Sequence, residues 1–186
     1  MQAVCNIALK EWQSVADALE AGRQIVLLRK GGIVEAGGEF SVEHPAFWLF
    51  PTYLHQNPAM LAPEWRDRLR RADAEPGELD LRLYAEITDV LRPADWECLL
   101  RLRPETVWTE PLLRMRWDYK PDRPLYLLLV RAYRAASPHR ISVTPGYAGC
   151  KSWVELDAGL PTDGAEPVLS DAAYAEARAR VSSAVG

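Results

Sequence analysis

Lysine is scarce in this chain: four lysines stand against eighteen arginines, and two of the four, Lys30 and Lys151, fall inside short polar clusters. Where arginine is the default cation, a lysine marks a place for a compact, deprotonatable amine. Cysteine is scarcer still. Cys5, Cys98 and Cys150 are odd in number, far apart and free of any CxxC or Cys/His spacing, which argues against a disulfide frame and against a structural zinc site. Long apolar runs are missing too. No stretch reaches the roughly 18 consecutive apolar residues of a membrane span, and the opening MQAVCNIALKEW has no charged region followed by a long apolar run. These absences give the expectation of a cytoplasmic protein with reduced thiols and no membrane partner.

What is present is ordinary globular composition. An apolar fraction of 48% and a charged fraction of 26% over 186 residues are enough for one hydrophobic core, so residues 1–186 are read as a single domain. The net charge of -4 disfavours a generally basic surface, but the sign is unevenly divided: residues 61–140 carry a slight positive excess and 14 of the 18 arginines. Arg66, Arg68, Arg70 and Arg71 lie within six residues, a local basic run whose ordinary reading is a solvated helix face.

The pattern along the chain alternates short elements. Ala8, Trp12, Val15 and Leu19 stand at helical spacing, predicting a first helix over 7–21 that stops at Gly22. Strands are expected at 24–29, 40–44 and 47–50, the last closed by Pro51. A short helix is expected at 63–72, a clear half-buried strand at 79–88, and short helices at 93–102 and 109–119. Two strands follow, at 125–130 and 140–143, separated by a turn at Ser137, Pro138 and His139. A last strand at 153–156 and a terminal helix from Asp171, capped by Ser170, complete the pattern. Strands without regular helical crossovers point to an α+β fold: a mixed, largely antiparallel sheet or partly closed barrel with flanking helices.

Two polar clusters stand out. The first runs from Arg29 and Lys30 through Glu43 and His44 to Thr52, His55 and Gln56. At strand ends such a set offers His44 or His55 as a general base, Glu43 to orient a histidine, and Lys30 or Arg29 to steady an oxyanion or phosphate. The eleven residues between the histidines match no recognised metal-ligand spacing. The second cluster is Pro145, Gly146, Tyr147, Gly149, Cys150, Lys151, Ser152 and Trp153, where glycine permits close backbone approach and Lys151 with Ser152 can meet an anion. It is not a Walker loop, and no motif names a cofactor.

The strings LLRKGGIVE, FSVEHPAFWLFPTYLHQ and PGYAGCKSWVEL resemble the bacterial family called domain of unknown function 1802, over most of the chain up to about Leu156. That resemblance implies no activity. It implies only that the two clusters are the parts by which the family is recognised. A looser similarity of element order is to RNA-binding barrels of the PUA type.

Three functions follow as expectations. The first is binding of a nucleic acid or a phosphorylated small molecule, with Arg29, Lys30, Thr52, Gln56, Tyr147, Lys151 and Ser152 as ligand-binding residues and Trp48, Tyr53, Tyr147 or Trp153 stacking a base. The second is phosphoester hydrolysis by His44, His55, Glu43 and Lys30. The third is a protein-interaction module in which the clusters lock turns. The choice turns on whether the two clusters meet in space.

Overall fold

A computed structural model describes residues 2–30, 34–36, 39–70, 72–149 and 151–186, and the side chains of 34–36 and 39–41 lie outside the description. Cys150 and Arg71, both singled out in the sequence, are outside the described residues.

The chain opens with a strand, β1 (Val4–Trp12), and only then enters helix α1 (Gln13–Glu20). The expected helix over 7–21 is therefore half wrong. Cys5, Ala8 and Leu9 are all buried, because β1 is covered on both faces and its side chains show no two-residue alternation to betray a strand. β2 (Val26–Lys30) and β5 (Ala46–Thr52) match expectation, whereas β3 (Val34–Ala36) and β4 (Glu39–Ser41) form a small separate hairpin that ends before Glu43 and His44.

The one-turn α2 (Pro63–Arg66) leads to the long β6 (Glu78–Leu91), then α3 (Trp96–Leu100), α4 (Glu110–Asp118) and β7 (Leu125–Ser142). The turn expected at 137–139 is absent: β7 runs through it as one strand. Two residue steps on β6, Leu81 to Leu83, face five on β7, His139 to Arg134, so the segment holding Pro138 bulges out of the ladder. The sequence signal was real, but it marked a bulge. β8 (Trp153–Pro161), the short β9 (Glu166–Pro167) and α5 (Asp171–Val185) follow, with Ser170 Oγ accepting from the Ala173 amide as expected of a cap.

The main sheet has seven strands in the order β2-β7-β6-β5-β1-β8, with β9 added to β7. Among the described residues only β1 and β5 are parallel; the other pairs are antiparallel. The architecture is α+β with a mixed, largely antiparallel sheet that does not close into a barrel. One face buries Leu9, Leu27, Leu49, Leu83 and Leu129 against the helices. The other packs Trp48, Phe50, Tyr84, Leu81 and Val154 together, with the Trp48 indole N–H donating to the Cys5 carbonyl at 3.2 Å. The sheet curls, and the curl positions the site: β2 and β1 stand first and fifth in the order, yet Arg29 on β2 pairs with Glu11 on β1 at 2.8 Å. None of the helices is long and apolar enough to cross a membrane, among the described residues.

Candidate functional site

At the seam where β2 approaches β1, a cleft of about 550 Å³ opens between the strand ends and the C-terminal end of α4. Its lining holds six cations, Lys10, Arg29, Lys30, Arg116, Lys120 and Arg123, and a single carboxylate, Glu11. Trp12, Thr52, Met115, Tyr119 and Ser152 complete the part that matters for chemistry. In a chain of net charge -4 this is a concentrated positive field, and low-dielectric walls focus it.

The cations divide into two kinds. Those of the floor are committed to the fold. Arg29 donates to Glu11 Oε2 and the Leu28 carbonyl, both at 2.8 Å, and its side chain and that of Glu11 are only 12% and 7% exposed. Arg29 Nε is buried without an acceptor among the described residues. The Lys30 ammonium donates to the carbonyls of Arg116 and Trp117, neutralising the end of α4 where the helix dipole is negative. Without that contact the carbonyl end of α4 would oppose any anion in the cleft. The Lys10 ammonium donates to the carbonyls of Tyr147 and Gly149, tying β1 to the loop before β8.

The lip is different. Arg116 is half-buried and Arg123 exposed, and among the described residues neither side chain has an ion-pair or hydrogen-bond partner. Asp118, two residues from Arg116, is drawn to Arg114 at 2.8 Å, and neither it nor Asp122, next to Arg123, is part of the lining. Lys120 sits at φ 46°, a left-handed position that side-chain-bearing residues rarely take, in a turn closed by the Arg123 amide donating to its carbonyl at 2.9 Å.

The two sequence clusters do meet, though not residue for residue. Arg29, Lys30 and Thr52 from the first and Ser152 from the second line the same cleft. Thr52 Oγ1 donates to the Glu11 carbonyl at 3.1 Å. Lys151 is exposed beside Ser152, its ammonium 3.4 Å from the Gly146 carbonyl. Tyr147 is buried, with its hydroxyl accepting from the Asp157 amide at 2.9 Å and pushed up in pKa by burial, so it holds the loop. Gln56 is buried and spends its amide on the fold, accepting from the Ser14 amide at the start of α1 and donating to the Arg70 carbonyl.

The histidines stand apart from the cleft lining. His44 lies edge-on to Trp153 at 5.0 Å and 3.8 Å from Glu43, while His55 is exposed at φ 63°. No hydrogen bond among the described residues joins either to Lys30. The arginine run at 66–70 forms no free patch: Arg66 donates to the Leu61 carbonyl, Arg68 stacks on Trp65, and Arg70 faces Asp17 at 3.6 Å.

The family model for "Domain of unknown function (DUF1802)" matches residues 8–180. The chain belongs to this family. No curated protein matches this family member. Among solved structures, that of ASCH from Zymomonas mobilis is similar over 95% of this chain and 93% of its own, at 12% identity and a TM-score of 0.47. A mutant protein of the same ASCH is similar over 81% and 87%, at 12% identity and a TM-score of 0.45.

Sequence reasoning missed Lys10, Arg116, Tyr119, Lys120 and Arg123. Lysine scarcity hinted at Lys10 and Lys120 alone; nothing in the sequence singled out Arg116, Tyr119 or Arg123. Of the four lysines, Lys10, Lys30 and Lys120 line the cleft and Lys151 adjoins Ser152 of its wall.

Proposed function

We propose that this family member binds a phosphorylated ligand, a nucleic acid or nucleotide, in the cleft between β1, β2 and α4. The observation that carries the reading is the charge census of the lining: six cations against one carboxylate, with Arg116 and Arg123 uncompensated at the lip. Cations that a fold uses for itself are matched by carboxylates or carbonyls, as Arg29 and Lys30 are. Cations left unmatched around a concavity are set for a partner, and phosphate oxygens accept from guanidinium forks in pairs.

The division between floor and lip separates two roles. Arg29, Lys30 and Lys10 hold strand ends, helix end and loop in place, so their loss acts through the fold. Lys120 and Arg123 are exposed and contribute little to packing, Arg116 is half-buried, and all three act on the ligand directly.

The test is binding of a fluorescent oligonucleotide and of a nucleoside triphosphate across a salt series. Affinity is expected to fall steeply with salt, and an Arg116→Ala/Arg123→Ala double variant should weaken binding with an unchanged melting temperature. For an oligonucleotide the salt slope should also drop by about 1 to 2. Absence of binding to both probes at low salt sinks the proposal.

A further inference from the structure

The lip of the cleft carries a second feature that charge does not explain. Val4, Met115 and Tyr119 are the large apolar side chains left exposed among the described residues, and two of the three lie one helical turn apart at the end of α4, in the cleft lining. Tyr119 is 52% exposed and Met115 45%. An inorganic anion or a nucleotide's phosphates alone would give such a pair nothing to cover. The Lys120 ammonium lies 5.1 Å from the Tyr119 ring centroid, so an apolar plate and a cation share one edge of the cleft.

We infer that Met115 and Tyr119 form a stacking platform for an unpaired base, and that the ligand is a single-stranded nucleic acid whose phosphates lie along Arg116, Lys120 and Arg123. This rests on the phosphate reading above and narrows it. Every base has an apolar π-face, and aromatic stacking beside a cationic track is how single strands are held without base-edge readout. A duplex keeps its bases stacked on each other, so it offers the lip phosphates but no face for Tyr119. The cleft volume of about 550 Å³ suits one or two nucleotides rather than a helix. The aromatics expected from sequence do not serve this cleft: Trp48 and Tyr147 are buried, Trp153 packs edge-on against His44 and Phe47, and Tyr53 faces Arg70 at 5.9 Å outside the cleft lining.

The experiment compares four probes of equal length by fluorescence anisotropy with the full chain: a single-stranded ribo-oligonucleotide, its deoxy counterpart, the matching duplex, and an abasic single strand that keeps the phosphates. Tyr119→Ala, Tyr119→Leu and Arg123→Ala variants are measured beside the native chain. The inference expects the ordinary single strands to bind about tenfold tighter than the abasic strand and the duplex. Tyr119→Ala should lose that margin, while Arg123→Ala weakens all four probes together. Tyr119→Leu keeps an apolar side chain without a ring, and it should fall near the alanine variant. Comparison of the ribo and deoxy strands assigns the sugar, either result supporting a single-strand ligand. If the abasic strand or the duplex binds as tightly as the intact strand, or if Tyr119→Ala leaves the margin intact, the platform is wrong and phosphate binding stands. If no probe binds but the nucleoside triphosphate does, the single-strand ligand is wrong and phosphate binding stands; if the nucleoside triphosphate fails as well, the phosphate reading itself has failed.

Discussion

Two concavities of nearly the same size sit on this molecule and differ in how their charges are spent. The cleft of about 550 Å³ beside α4 has six cations and one carboxylate. The cavity of about 490 Å³ between α1, β5, β6 and the residue 70–78 connection has Arg70, Arg82 and Arg140 against Asp17, Glu20, Glu78 and Asp80. In the second, guanidiniums and carboxylates are matched in place: Arg140 meets both Asp80 oxygens at 2.9 and 3.2 Å, and Arg70 faces Asp17. The Arg140 hydrogen bond holds the Asp80 carboxyl below its usual range. A cavity that neutralises itself has no net pull on an ion, so volume alone does not make a site. Compensation does.

The sharpest way to break the comparison is to remove the one carboxylate of the basic cleft. Glu11→Ala leaves the Arg29 guanidinium buried without its partner and is expected to cost about 3–5 kcal/mol in urea unfolding. A loss below about 1 kcal/mol, typical of surface pairs, would place the Arg29 to Glu11 contact among exposed ion pairs and undo the division between floor and lip.

Lys120 permits a cleaner separation of fold from ligand. Glycine takes φ 46° freely, so Lys120→Gly should raise stability by up to about 1 kcal/mol while weakening phosphate binding. Melting temperature and affinity are then expected to move in opposite senses, an outcome that a purely structural lysine does not give.

The matched cavity has its own pH signature. Burial pushes the Asp17 carboxyl above its ordinary value of 3.8, against the pull of Arg70. A raised folded-state value means that the native protein holds this proton more tightly than the unfolded chain. The contribution is present in full below 3.8 and is lost as pH rises through the folded-state value. Asp17→Asn has no proton to lose, so the melting temperature of the native chain relative to the variant should fall from about pH 4 to pH 7. A difference that is flat or rises over this range contradicts burial as the dominant cause.

The smallest effect is expected from Arg140→Ala. Its pair with Asp80 is exposed and adds little to stability, and phosphate affinity should stay within about twofold of native. If Arg140→Ala weakens binding as much as Arg123→Ala does, the two cavities are not distinct and the charge census loses its meaning.

By itself the sequence determined the α+β class, the strands expected at 24–29, 47–50 and 79–88, the helix expected at 109–119 and the capped terminal helix, each within a few residues of its place in the structure, because local propensity and pattern suffice for each. It failed at β1, where burial on both faces erases the alternation that marks a strand, and at 137–139, where a bulge carries turn residues. For the site it marked Arg29, Lys30, Thr52 and Ser152 by composition, and it could not separate them from Gln56 and Tyr147, whose polar atoms are consumed by α1 and the loop before β8. The membership of Lys10, Arg116, Tyr119, Lys120 and Arg123 was decided only by tertiary structure. They come from β1, α4 and the turn after it, far apart in sequence, and the curl that sets Arg29 against Glu11 gathers them around one opening. Which cations remain unmatched depends on where every carboxylate ends up, a property of the packed chain as a whole.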